Sequence, residues 1–177
     1  AQQEKYDDAK EVMYELMNDA GGDQKRIYEL GNALREWNEH LIVQREQRLR
    51  DYPEDEENAR ELAWCYLQND RGDEAQHICE MLKADVADAY DYHNLCAKVY
   101  FSQENWEISL QHLQGIEAIL RATQPDGTEK TEKRLRKLSE FLQMQGRCLT
   151  ALGQDAAAAE KYEQALAEIS ERIETLK

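Results

Sequence analysis

The chain has 177 residues, with 37 acidic against 22 basic side chains, a formal charge of -15, 41% hydrophobic residues, and only eight glycines and two prolines. Such a composition is too apolar for a disordered acidic tail and too poor in turn residues for a β-sandwich, while its length suits one compact domain or a short repeat array. The charge repels phosphate backbones and anionic lipid, so neither nucleic acid nor membrane is expected as a partner. The basic run KTEKRLRK at 130–137 reads as a solvated helix face. No apolar stretch reaches membrane-spanning length, and the opening AQQEKYDDAK has no basic region leading into an apolar one.

Turn signals divide the chain into helical segments: GGD at 21–23, the stretch around Tyr52 and Pro53, NDRGD at 69–73, ADVAD at 84–88, SQEN at 102–105, TQPDG at 123–127 and GQD at 153–155. Between them apolar residues recur at three and four. Ala59, Leu62, Ala63 and Tyr66 make one stripe, and Ala75, Ile78, Cys79 and Leu82 make the next, which predicts a helical hairpin. The unit recurs. Small or apolar residues opening the second helices stand at Ala9, Leu41, Ala75, Ser109 and Ala158, in steps of 32, 34, 34 and 49. First-helix landmarks at Gly31, Ala63, Cys96 and Gly146 step by 32, 33 and 50, so the same period and the same late insertion occur twice. A period near 34 marks stacked helix pairs, and small residues at these places let two backbones cross closely.

The division that follows is a half repeat at 1–20, repeats at 23–53, 56–86 and 89–121, an insertion at 122–137, and a repeat with an extended terminal helix at 138–175, all within one domain over 1–177. The repeat at 23–53 is divergent. Its turn is two residues short, and Arg45 and Arg48 occupy expected apolar sites, so a hairpin with an exposed second helix and a single long helix through Trp37 are both open. The hairpin is the preferred reading.

The last unit, LQMQGRCLTALGQDAAAAEKYEQALAEI, resembles the tetratricopeptide repeat pattern almost throughout, with Gly146, Leu149, Gly153, Ala158, Tyr162 and Ala165 in the family's positions. The unit from Asn58 to Asp85 matches through Leu62, Ala63, Tyr66, Ala75, Cys79 and Leu82, and the unit from Tyr90 to Leu120 is looser, with Ser109 for the usual Ala. The segment EKYDDAKEVMYELMND looks like a second helix without its first. The resemblance implies an all-α, right-handed superhelical array of antiparallel hairpins, an α-solenoid, whose first helices line a concave groove.

Catalytic chemistry finds no support. There is no P-loop and no zinc-protease motif, and Cys65, Cys79, Cys96 and Cys148 sit among apolar residues without metal-ligand spacing. His40, His77, His93 and His112 are scattered, and the acids at 54–57 read as a helix N-terminus. No enzyme activity, cofactor or metal is expected, and the cysteines suit a reducing cytoplasm.

The surface carries what remains. Residues expected to face the groove are Tyr28, Asn32 and Arg35 upstream, Arg60, Trp64 and Leu67 at 56–86, His93, Tyr100 and Phe101 at 89–121, and Gln143 and Arg147 downstream. Trp, Tyr and Arg are the anchors that dominate peptide sites, although the aromatics could equally pack against neighbouring helices. Tetratricopeptide modules that clamp a terminal carboxylate use a Lys where Tyr28 stands and an Asn where Glu61 stands, which argues against such a clamp. The expectation is a non-enzymatic scaffold that binds a peptide or helix of a partner protein. Two alternatives are a peptide-sensing domain of a larger bacterial regulator, and a structural module that self-associates, with a homodimer formed through the incomplete N-terminal repeat.

Overall fold

The computed structural model describes residues 23–82, 89–123 and 127–175. Seven helices and no strand occur among them: α1 (Gln24–Asp51), α2 (Glu56–Gln68), α3 (Gly72–Met81), α4 (Ala89–Ser102), α5 (Trp106–Ala122), α6 (Thr128–Ala151) and α7 (Asp155–Thr175). The half repeat at 1–20, and the homodimer expected through it, lie outside the described residues. The chain divides into two compact units, residues 1–71 and 72–177.

In the first unit, α1 is one unbroken helix of 28 residues, which corrects the hairpin preferred for 23–53. Asp23 caps it by accepting from the backbone N–H groups of Lys25 and Arg26. No glycine or proline follows Gly31 until Pro53. Proline disfavours helical backbone at the residue before it, so the helix stops at Asp51, with Tyr52 at φ -136°. The arginines that argued for an exposed helix are tied down. Arg45, only 12% exposed, pairs with Glu61, and Arg48 pairs with Asp55 at 2.6 Å. Asn38 donates to Gln68 at 3.1 Å, and Tyr66 donates to Glu46 at 2.7 Å. These partners run in opposite order along the two helices, so α1 and α2 are antiparallel, around Leu34, Ile42, Leu62 and Ala63. Gly31, expected at a close crossing, has nothing within 4 Å of where a Cβ would be.

In the second unit α4, α5, α6 and α7 each pack on the helix before them. Gln103 donates to Asp73 at 2.9 Å, linking α4 to the start of α3. Ser109 is fully buried on α5 and donates to the Ala97 carbonyl at 2.9 Å, so a hydroxyl replaces the usual methyl at no cost in unmet hydrogen bonds. The core gathers Ala97, Leu113, Ile116, Leu138, Leu142, Cys148 and Ala165 from four helices. Across α5, α6 and α7, burial alone would raise the Glu117 carboxyl, but hydrogen bonds from Lys161, Gln145 and Arg121 outweigh it and hold the carboxyl below its ordinary range.

Three helices end in the same turn. After α2, α4 and α6, a residue takes a left-handed conformation: Asp70 at φ 58°, Glu104 at 55° and Gly153 at 71°. In each, the following N–H reaches back five residues, from Arg71 to Tyr66 at 2.9 Å, from Asn105 to Tyr100 at 2.9 Å and from Gln154 to Leu149 at 2.8 Å. The three turns stand 34 and 49 residues apart, the steps that the small residues of the second helices also take.

Two predictions follow from these contacts. Glu104 makes no ion pair among the described residues, so Glu104→Gly removes the left-handed penalty and raises stability by about 1 kcal/mol in urea unfolding, whereas Gly153→Ala lowers it by a similar amount. At Gly146 a Cβ would come within 2.6 Å of the Tyr162 ring. Gly146→Leu therefore costs about 2 kcal/mol or more, and adding Tyr162→Ala recovers part of the loss in a double-mutant cycle.

Candidate functional site

On α4 of the second unit, Tyr100 and Phe101 are consecutive, so their side chains leave the helix about 100° apart. They have separate fates. Tyr100 is 7% exposed and stacks on His112 of α5, with centroids 5.9 Å apart and planes 7° from parallel. Its expected place on an open groove is thereby corrected, since the ring is used for packing. Phe101 stays half-buried, edge-on to Trp106 at 5.2 Å, and its ring carries the Arg147 guanidinium of α6 at 4.7 Å. Arg147 is exposed, and so is Gln143 one turn before it. A guanidinium over an aromatic face is attracted by the ring quadrupole while its N–H edges remain available to a carboxylate or carbonyl.

Beside Tyr100 lies a polar cluster that sequence reasoning did not assemble. His93 Nδ1 is 2.9 Å from His112 Nδ1, and Tyr92 meets both imidazoles with centroids at 5.5 Å. His112 lies on α5, a second helix, outside the first-helix faces expected to line the groove. Glycine makes the room, as a Cβ at Gly115 would come within 3.0 Å of the His93 ring. Burial pushes His93 down, and burial together with the neighbouring His93 pushes His112 down to about 4. Both rings are neutral at pH 7, one Nδ1 donating and the other accepting. Behind them, hydrogen bonding to Cys96 and burial push the Cys79 thiol up, so it stays protonated.

In the first unit, Tyr28 is 67% exposed and Asn32 is half-buried. Arg35 is exposed and pairs with Asp70 at 3.2 Å. On α2, Arg60, Trp64 and Leu67 are half-buried, and Arg60 Nη1 is buried without a hydrogen-bond partner among the described residues. Each unit thus brings some of the expected residues together on its own surface: Phe101 with Arg147 in one, and the α2 trio in the other.

The tetratricopeptide repeat family model matches residues 46–99, from the last turns of α1 through α2 and α3 to most of α4. This stretch of the chain is similar to tetratricopeptide repeats. Tetratricopeptide repeats generally mediate protein–protein interaction and are typically non-enzymatic. No curated protein and no solved structure matches the chain. Among the described residues, no group of three or more His, Cys, Asp or Glu is placed to hold a metal ion, and no helix is long and apolar enough to cross a membrane.

The histidine pair makes stability depend on pH in a defined direction. His112 binds its proton near pH 6.5 when unfolded and near 4 when folded, so the unfolded state takes up more protons between those values. Its contribution, about 3 kcal/mol at most, is intact above pH 6.5 and is lost as pH falls toward 4. His112→Phe keeps a ring against Tyr100 and flattens the stability profile across that window, as read from urea midpoints at successive pH values.

Proposed function

We propose that the protein is a non-enzymatic scaffold that binds a peptide or helix of a partner protein on the faces of its first helices. The observation that carries this reading is the exposed Arg147 guanidinium held over Phe101 at 4.7 Å, with Gln143 one turn away. The ring fixes the cation at low entropic cost, so a carboxylate or backbone carbonyl of a ligand meets a donor already in place. Phe101 contributes the apolar edge, and Gln143 a neutral donor and acceptor. On the first unit, Arg60, Trp64 and Leu67 offer a similar mixture, and the unmet Arg60 Nη1 supports an acceptor supplied from outside. Tyr28, Asn32 and Arg35 extend the polar part of that surface. His93 and Tyr100 serve from beneath, by fixing α4 against α5. Four buried free thiols support a reducing compartment, the cytoplasm.

The test is photo-crosslinking in the native cell. A photoreactive residue at Gln143 captures the partner, while one at Gln114, exposed on α5, does not. With the captured partner in purified form, Arg147→Glu weakens binding about tenfold or more, the usual size of a central cation's contribution, and leaves the helical signal unchanged. Equal capture from Gln114, or unchanged affinity in Arg147→Glu, refutes the proposal.

A further inference from the structure

The last helix carries an apolar stripe whose outer edge nothing among the described residues covers. Tyr162 is 37% exposed, Leu166 63% and Ile173 53%, and Ile169 is half-buried. Their spacing is four, three, four, which brings all four side chains within about 60° of one another around an α-helix. A seam this narrow fits one helix laid alongside over about three turns. It borders the packed side of α7, where Ala158 and Ala165 meet the core.

Charge selects the occupant. Both cations of α7 within the described residues are turned inward, Lys161 to Glu117 at 2.8 Å and Arg172 to Glu132 at 2.5 Å. Of the carboxylates, Glu168 is turned inward to Arg121 at 3.2 Å, and the others are exposed. Glu163 and Glu174 are exposed on the face next to the stripe and make no ion pair among the described residues, and exposed Glu160 and Glu171 follow behind them. A second copy of α7 would bring the same acids against these, in a chain already at -15. A helix with Lys or Arg beside its apolar seam would bury the stripe and complement the border.

We infer that the exposed face of α7 is a second docking surface, which takes an amphipathic helix of another protein with apolar residues at four-three-four spacing and a basic flank. The probe is a synthetic labelled 18-residue peptide with leucines at that spacing and lysines beside them, titrated into the full chain by fluorescence anisotropy. Two controls keep its length: one holds the lysines but scrambles the leucine spacing, and the other replaces the lysines with glutamates. The expected result is saturable binding of the probe, with both controls weaker by about tenfold or more, and a similar loss in the Leu166→Ser, Ile173→Ser double variant. Both variant positions are more than half exposed, so the fold should survive, which circular dichroism checks. The inference is overturned if the probe does not bind, if the scrambled peptide binds as well, or if the double variant binds the probe unchanged. It is likewise overturned if light scattering shows a wild-type dimer at pH 7 that the double variant abolishes, because the stripe would then be covered by a second copy.

Discussion

A helix that is apolar along one stripe must find a neighbour for it, and in this chain the neighbour within each unit is the next helix in sequence. What makes the neighbour reachable in the second unit is a turn of fixed shape. The left-handed residue at Glu104 reverses the chain between α4 and α5, and Gly153 does the same between α6 and α7. The reversal closes only where side chains are small: Ser109 is buried under Ala97, and the Tyr162 ring lies where a Gly146 side chain would stand. Polar crosslinks then fix the register, as Glu117 does between α5, α6 and α7. Asp70 repeats the same turn after α2, so one backbone solution is used three times with three different residues. Glycine suits it best, and the two acids show that the flanking contacts outweigh their strain.

The first unit solves the problem differently. Its long α1 offers few apolar residues to α2, and the interface is largely polar: Asn38 with Gln68, Arg45 with Glu61, Glu46 with Tyr66, Arg48 with Asp55. Pairing within a partly dry interface satisfies groups that would otherwise resist burial. That arrangement explains why hydropathy misleads there. An arginine at an apolar position reads as a solvated site unless its carboxylate partner on the next helix or at its cap, Glu61 for Arg45 and Asp55 for Arg48, is considered with it.

Much of the second unit was legible because its determinants are periodic. Ala75, Ser109 and Ala158 were picked out by spacing alone, and all three are buried. The pairing of Phe101 with Arg147 follows once the insertion is placed, since both then fall on first helices. Other features needed information that spacing does not hold. Gly31 has the right period but faces open space, because a helix that never turns has no crossing there. The separation of Tyr100 from Phe101 was available from the 100° step between consecutive helical residues, yet which of them faced inward depended on His112 across the hairpin. Tyr162 holds a family position in the last unit. It lies against Gly146, but one edge remains outside at the head of the α7 stripe.

The acidity of the chain takes on meaning beside these surfaces. Its internal cations are mostly engaged, Arg147 is held over a ring, and the outer acids of α7 border apolar residues. Recognition then depends on a few placed groups within a repelling background, which discourages casual contacts and favours a complementary partner. All of this rests on the repeat register, and the register rests on the turns. The direct measurement is solution NMR of the backbone, reading the intraresidue amide-to-Hα distances and three-bond couplings at Asp70, Glu104 and Gly153. Positive φ at all three, with protected amides at Arg71, Asn105 and Gln154, is the predicted result. A negative φ at Glu104, or free exchange at Asn105, would contradict it.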